Sequence, residues 1–557
     1  MDNLRLILFM ALAFLGMIIY QEWQADYGVT AVSNQQQAQQ ISPNSNVSAD
    51  TPDAPTNASI DSFNKSGMSS VSAVPNDGSA AQSQRIHVKT DTLDLMLDTR
   101  GGSVIDAKLV QYPVSLDTPD IKYHLMSERP FDFFIAQSGL LGQDKNRMPT
   151  HEAVFSTAKT EYSMEEGSDT LVVDLHWQSQ DGVTVTKRYT FTRGLHSVQL
   201  QHIVKNDSNT AWAGREYRQL QRGEPADTGN AFMYTYTGGA VYTQEEKYQK
   251  FDFDDLAQGK LDVDAADGWV SMIQHYFLSA IVPPRGEMQH YYGKRLGNGR
   301  SVIGTYTAAA NVAPGDQTEF NGILFIGPKL QVELAEVAEG LDLTVDYGFL
   351  TVIAQPMYWV LDQIQAVVAN WGWTIILFTI LIKLVFFKLS ETSYKSMANM
   401  RKLGPRIQAL KDRYGDDKQR MQQAMMEMYK KEKINPLGGC LPMLVQMPFF
   451  IALYWVLLES VELRQAPWIF WLDDLSVKDP YFVLPVIMAA SMVVQQKLNP
   501  APPDPMQEKI MMMLPLVFGV MFAFFPSGLV LYWVVNNILS IAQQWVITRR
   551  IEQGAQE

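Results

Sequence analysis

The chain reads as a polytopic α-helical membrane protein carrying a large external antiparallel β-sandwich, and three observations carry that reading. Charge divides it in two: residues 1–349 hold 26 Lys and Arg against 43 Asp and Glu, whereas residues 350–557 hold 19 against 16. Long apolar runs concentrate in the second part, with one more at the N-terminus. Between about 85 and 345, apolar and polar residues instead alternate with a period of two, the mark of half-buried strands. A chain of 557 residues also exceeds one ordinary domain. The acidic first part offers no large basic surface, so sequence-specific nucleic-acid binding is not expected. Cys440 is the single cysteine. No intramolecular disulfide can form, and the external domain must be held by burial.

Residues 1–22 contain fifteen apolar or small residues, Leu6 to Tyr20, preceded by Arg5. The run is short for a span and resembles a signal peptide. The flank Gln21-Glu22-Trp23-Gln24 lacks a small-residue cleavage site, which favours an uncleaved signal anchor with its N-terminus inside. Residues 23–84, rich in Gln, Ser, Asn, Ala and Pro, have the composition of a flexible tether.

The external domain is expected over 85–345. Leu93, Leu95 and Leu97 alternate with Asp94 and Met96, and Arg100-Gly101-Gly102 then turns the chain. Leu171 to Ser179, Asp181-Gly182 and Val183 to Thr192 read as a hairpin. Leu195 to Val204 adds a further strand, and repeated strands of this kind predict a sandwich. His151, His176, His202 and Asp252 to Asp255 show neither metal-ligand spacing nor a paired acid and base. No metal, cofactor or enzymatic chemistry is expected there.

Residues 350–369 form an amphipathic helix: Met357, Val360, Leu361, Ile364, Val367 and Val368 share one face, and Asp362, Gln363 and Gln365 the other. A core-facing helix of the external domain has the same pattern. Trp371 and Trp373 just beyond it favour the membrane interface. Spans are expected at 370–389, 438–459, 481–497, 509–525 and 528–547, six with the anchor. Segment 391–437 carries 11 Lys and Arg against 6 Asp and Glu, so it is expected inside. Segment 461–480 carries 2 against 4 and is expected outside, as is the turn Phe525-Pro526-Ser527-Gly528. Both termini are then cytoplasmic and residues 23–349 external. Segment 391–437 reads as two charged helices joined near Tyr414-Gly415-Asp416-Asp417, with Met421, Met425 and Met426 on the second. Flexible thioethers suit a surface that accepts varied apolar partners, though they also serve to seal two helices together.

The most informative residue is Lys383, within the otherwise apolar stretch Trp373 to Phe387. An ammonium at bilayer depth costs about 2.5–3.5 kcal/mol on insertion scales. The stretch contains no acidic residue, and Thr379 lies one turn above it on the same face. Snorkelling is the competing reading, since the lysine stem spans part of the distance to the interface. Gln446, Ser491, Asn536, Asn537 and Ser540 are polar positions in the other spans. They either join helices by hydrogen bonds or line one wet cavity with Lys383 and Thr379.

The stretches Asn435 to Pro448 (NPLGGCLPMLVQMP), Glu462 to Pro467 (ELRQAP), Asp504 to Ile510 (DPMQEKI) and Phe525 to Tyr532 (FPSGLVLY) resemble those of the YidC membrane protein insertases. The likeness covers about 350–550. The layout of anchor, tether and external domain is similar to the Gram-negative form, whose external domain is periplasmic. The resemblance implies a five-span insertase core around a hydrophilic groove open to cytoplasm and lipid, and an external domain like the supersandwich of galactose mutarotases. It implies transfer of nascent membrane proteins into the cell inner membrane, alone or with the Sec translocon. The ribosome, signal-recognition components and membrane lipids are further implied partners. Lys383 takes the positive position of the groove, with Thr379, Gln446, Ser491, Asn536 and Asn537 around it. Met447, Phe450, Met521, Tyr532 and Trp533 fall at substrate-contact positions, and the helix pair bearing Met421, Met425 and Met426 receives substrate.

Three departures stand out. Relatives commonly carry Arg at the Lys383 position, so one charge is kept without bidentate geometry. Lys388 stands where proline is frequent. Gln553 to Glu557 lack the basic tail of some members. A transporter with Lys383 as an anion site would call for paired repeats or matching broken helices, which the sequence does not show. An envelope enzyme merely anchored by its spans would lose all activity with residues 85–340. The sequence holds no phosphate loop of the Walker type.

Overall fold

The computed structural model describes residues 83–225, 235–414, 417–431, 441–498 and 505–553. The expected anchor and nearly all of the tether lie outside the described residues. Two compact units emerge. One runs up to Thr351 and takes in Glu459–Gln465; the other holds Val352–Leu458 and the chain from Ala466 onward.

The first unit is a sandwich of an eleven-stranded and a nine-stranded sheet. Among the described residues, pairing is antiparallel apart from one short parallel pair, Arg85–Lys89 with Glu161–Ser163. The expected hairpin is present: Thr170–Gln178 pairs with Val183–Thr192, which pairs in turn with Ser197–Asn206. In Leu93–Asp98 the alternate leucines are buried, as the period-two pattern predicts. The turn that follows demands glycine, because Gly101 has φ +71° and a Cβ there would stand 2.3 Å from the His151 carbonyl oxygen. Leu95, Val104, Phe191, Leu200, Ile281 and Leu324 belong to one continuous core between the sheets.

Among the described residues, two short α-helices also belong to this unit, α1 (Phe253–Ala257) and α2 (Gln331–Val337). Asp252 and Asp255, two of the acidic run, form the capping box of α1. The histidines also have structural partners. His151 Nδ1 bonds the Tyr217 hydroxyl at 2.6 Å, and His176 Nδ1 meets Thr186 Oγ1 at 3.1 Å.

Charge is buried between the sheets. His202 Nδ1 lies 2.6 Å from Glu216 Oε1, and Arg218 Nη2 lies 2.7 Å from Glu216 Oε2. Lys187 is fully buried and donates to the Gly101 carbonyl at 2.8 Å. Burial pushes its ammonium down to about 7 and pushes His202 down as well.

A second ion pair ties in the inserted segment. Lys329 Nζ meets Glu459 Oε2 at 2.6 Å with both side chains buried. Val461 joins the sandwich core, and Arg464 donates to the Pro113 carbonyl at 2.6 Å. The sequence was expected to end a span at 459 and to run outside over 461–480. The structure makes residues 459–465 part of the sandwich because the buried ion pair, the apolar contact and the backbone bonds all converge there.

The second unit is helical: α3 (Thr351–Val368), α4 (Trp371–Val385), α5 (Phe387–Lys402), α6 (Gly404–Tyr414), α7 (Lys418–Lys431), α8 (Leu441–Glu459, whose last residue joins the sandwich), α9 (Val483–Leu498), α10 (Pro505–Phe522) and α11 (Ser527–Gln553). Among the described residues, the Ser527–Arg550 stretch is the one helix that by itself is long and apolar enough to cross a membrane. Val445–Glu459, Val483–Leu498 and Lys509–Phe522 are shorter apolar helices.

Two expectations differ from what is seen. Segment 370–389 is not one helix, for the chain bends by 67° between α4 and α5. Phe386 leaves helical geometry at φ −89°, ψ 10°. The bend falls where composition changes: Lys383 is the one charge in α4, whereas α5 carries Lys388, Glu391, Lys395, Arg401 and Lys402. The first charged arm is also two helices, α5 and α6. Pro405 lacks the N–H that would bond the Arg401 carbonyl, so the helix stops at Lys402 and restarts at Gly404.

Two stability predictions follow from the buried charges. Replacing Glu459 by Ala leaves the Lys329 ammonium buried and alone, at an expected cost of about 3–5 kcal/mol, while a paired Lys329→Met, Glu459→Leu change recovers most of it. Denaturant unfolding of the purified full chain measures both, and equal losses in the single and double variants would contradict the pairing. For Lys187, the folded value lies below the unfolded one near 10.5. The unfolded chain therefore binds more protons between pH 7 and about 10, and stability rises across that window. The melting temperature of the wild type should climb relative to Lys187→Met over this range; a parallel profile would exclude a desolvated ammonium.

Candidate functional site

The site is built from α4, α5, α8, α9, α10 and α11. Helix α4 is capped by Asn370, whose Oδ1 accepts from the Trp373 N–H at 3.2 Å while its Nδ2 donates to the Pro467 carbonyl at 3.1 Å. Three turns on, Lys383 extends to α11 and donates to Ser540 Oγ at 2.7 Å. Ser540, itself buried, donates to the Asn536 carbonyl at 2.7 Å, and the Tyr394 hydroxyl of α5 is bonded to it too. Among the described residues no carboxylate reaches Lys383, and Ser540 is its hydrogen-bond partner.

The expected groove residues fall in different places. Thr379 is buried and donates to the Ile375 carbonyl of its own helix at 2.6 Å, so its polar atom serves α4 rather than Lys383. Asn537 Nδ2 donates to Ser491 Oγ at 3.2 Å, joining α11 to α9. Gln544 Nε2 donates to the Leu498 carbonyl at 3.2 Å on the same side. Gln446 is half-buried on α8. Helix α11 thus has two polar stripes, and the reason is its 3.6-residue period. Asn536, Ser540 and Gln543 recur at i, i+4 and i+7 and face α4 and α5, where Gln543 Nε2 reaches the Phe387 carbonyl at 3.4 Å. Asn537 and Gln544, seven residues apart, face α9.

The expected substrate-contact residues come together more closely. Phe450 of α8 stacks on Trp533 of α11 at 5.7 Å and 18°, and lies 5.8 Å from Tyr532. Phe522, next to the half-buried Met521, reaches Trp533 at 4.8 Å. Met447, one turn before Phe450, is about half exposed at 47 %. On α7, Met421 and Met425 are half-buried and Met426 is exposed.

At the other end of these helices the loop 466–482 closes the bundle. Asp479 is buried and accepts from the Trp471 indole at 2.9 Å and from the Tyr481 and Leu484 N–H groups at 3.0 and 2.7 Å. Gly528 donates to the Leu475 carbonyl at 2.9 Å. Trp468 packs so tightly over Gly372 that a Cβ there would lie 2.1 Å from the indole Cγ.

Sequence reasoning missed Tyr394 and Gln543. Gln543 was findable from its i+7 spacing to Asn536; Tyr394 was not, because the bend at Phe386 places it. A cleft of about 900 Å³ on the sandwich, lined by Gln199, Gln201, Trp269, Arg285, Asn321 and Glu339 among others, also went unread. Its residues come from widely separated segments.

Apolar helices around a cation, and a separate large β-sandwich, are the parts of a membrane protein that also carries a soluble domain. The model for the 60Kd inner membrane protein family matches residues 363–554, and that for the YidC periplasmic domain matches residues 85–360. A membrane protein insertase YidC of Thioalkalivibrio sulfidiphilus is 50% identical with full coverage of both chains. That of Methylococcus capsulatus is 50% identical over 100% of this chain and 99% of its own, and that of Stutzerimonas stutzeri 47% over the whole of both. A crystal structure of an active YidC insertase with its first transmembrane domain resolved aligns with a TM-score of 0.37 at 19% identity, covering 83% of this chain and 92% of its own. The chain belongs to the YidC family of membrane protein insertases. It is an insertase, not an enzyme.

Packing at the closed end is open to test. Substituting Ala at Gly372 forces Trp468 to move, and overpacking of this kind costs about 1–3 kcal/mol. Tryptophan-monitored melting of the detergent-solubilised protein should show the loss, and an unchanged transition would rule out the contact.

Proposed function

We propose that Lys383 is the electrostatic centre of a hydrophilic groove through which nascent membrane proteins pass from the cytoplasm into the inner membrane. The observation that carries this reading is the ammonium that, among the described residues, has no carboxylate partner. A charge that costs about 2.5–3.5 kcal/mol at bilayer depth is retained where something outside the folded chain compensates it. An acidic or polar end of a passenger is such a group. Gln446 and Asn536 line the polar interior, Thr379, Ser491 and Asn537 brace the helices around it through their hydrogen bonds, and Met447, Phe450, Met521, Tyr532 and Trp533 form the apolar side along which the passenger helix leaves. Burial of that helix in lipid supplies the driving force at about 25 cal/mol per Å². The membrane potential adds about 2.3 kcal/mol per acidic charge per 100 mV.

In this reading the chain has six spans and a five-helix core, with both termini cytoplasmic and residues 23–349 periplasmic. Its domains run 1–22, 23–84 and 85–345, followed by the interfacial helix 350–369. The charged helices, with Met421, Met425 and Met426, receive the passenger from the ribosome and signal-recognition components. The Sec translocon and membrane lipids are partners at the exit. The excess of Lys and Arg in 391–437 supports this orientation.

The test is to replace Lys383 by Ala and by Glu and to assay insertion of a substrate with an acidic external end. Both variants should insert it at least about tenfold less, the effect of losing one charge-assisted contact, and Glu should be the worse. Undiminished insertion by both would refute the role of the charge.

A further inference from the structure

We infer that Ser540 is a positioning residue for the groove cation: it holds the Lys383 ammonium in place without neutralising it. The inference rests on the reading of Lys383 as the cation that attracts the passenger. A serine hydroxyl offers one donor and two acceptor sites. At Ser540 the donor and one acceptor site are engaged. Its proton goes to the Asn536 carbonyl at 2.7 Å, so Oγ meets the Lys383 ammonium at 2.7 Å as an acceptor.

That arrangement has two consequences. The hydroxyl proton is held by the helix's own carbonyl, which turns the Oγ lone pairs toward the ammonium and draws it to α11 rather than leaving it to extend along its own helix. Its partner is also neutral. An ammonium carries three donors, and Ser540 takes one of them. Among the described residues no carboxylate takes the others. The full positive charge and two N–H groups stay open to a passenger's carboxylate.

Position and chemistry both matter. Asn536 and Ser540 lie one turn apart on α11, so the carbonyl that fixes the hydroxyl belongs to the same helix. The anchor therefore depends on helix geometry and not on a mobile side chain. Ser540 is 4% exposed, so bulk water does not compete for the contact. A carboxylate at this place would instead supply an internal counter-ion within ion-pair distance of Lys383 and cancel the attraction.

The experiment uses the full chain in proteoliposomes and two versions of one substrate, with an acidic or an amide-substituted external tail. The readout is the ratio of acidic-tail to neutral-tail insertion, which loss of packing alone would not move. Ser540→Asp should lower that ratio roughly tenfold, toward the value for Lys383→Ala, as expected for removing one charge-assisted contact. Ser540→Ala, which leaves the ammonium unanchored, should lower it less, and Ser540→Thr should restore it. If Lys383→Ala lowers the ratio but Ser540→Asp and Ser540→Ala do not, Ser540 has no positioning role. An equal fall for both tails in the Ser540 variants would mark a structural role and overturn the inference. If Lys383→Ala itself leaves the ratio unchanged, the reading of the cation fails first.

Discussion

An ammonium among apolar helices, bound among the described residues by a hydroxyl and not by an acid, is the constraint around which the helical unit is arranged. It explains why α11 must be polar on the side of α4 and α5, and why that stripe carries groups that bond locally. Asn536 contributes a backbone carbonyl, Ser540 a hydroxyl and Gln543 an amide directed at Phe387. None of the three carries charge, so the positive field survives. The second stripe, Asn537 with Gln544, does ordinary helix joining against α9. Separating the tasks by 100° of helix rotation lets one element both bind its neighbour and serve the site.

Next to this polar seam lies an apolar one. Phe450, Tyr532, Trp533 and Phe522 form a continuous set of ring contacts between α8, α10 and α11. Aromatic faces give a large, adaptable apolar surface with little rotamer freedom to lose. On the function proposed above, a passenger segment that is polar at one end and apolar along its length would meet matching surfaces on one helix, α11. The loop 466–482, pinned by Asp479, secures the other end of the bundle with buried hydrogen bonds instead of a disulfide.

The sandwich follows a different logic. Without a disulfide it relies on its continuous apolar core, yet it buries Lys187, His202, Glu216 and Arg218 between its sheets and Lys329 beside Glu459. Buried pairs of this kind are weak contributors to net stability and strong penalties when broken. They fix register: Lys187 stands directly across from His202 in the paired strands, so a slip by one residue would expose the pair and bury its neighbours.

Much was legible in the residues. Alternation at Leu93, Leu95 and Leu97, the glycines after Arg100, the hairpin around Gly182 and the lone charge at 383 each announce themselves, because local periodicity and side-chain chemistry need no partner to be read. Met447, Phe450, Tyr532 and Trp533 were named through resemblance, and the fold brings the rings of the last three together. What the tertiary structure alone decided is which polar atoms meet: that Ser540 and not Thr379 holds Lys383, that Ser491 takes Asn537, that the chain bends at Phe386, and that Glu459 joins the sandwich. Periodicity tells which residues share a face, but the rotation of one helix about its axis relative to the next is set by packing among many side chains at once. A partner chosen by that rotation has no signature in the sequence of either helix.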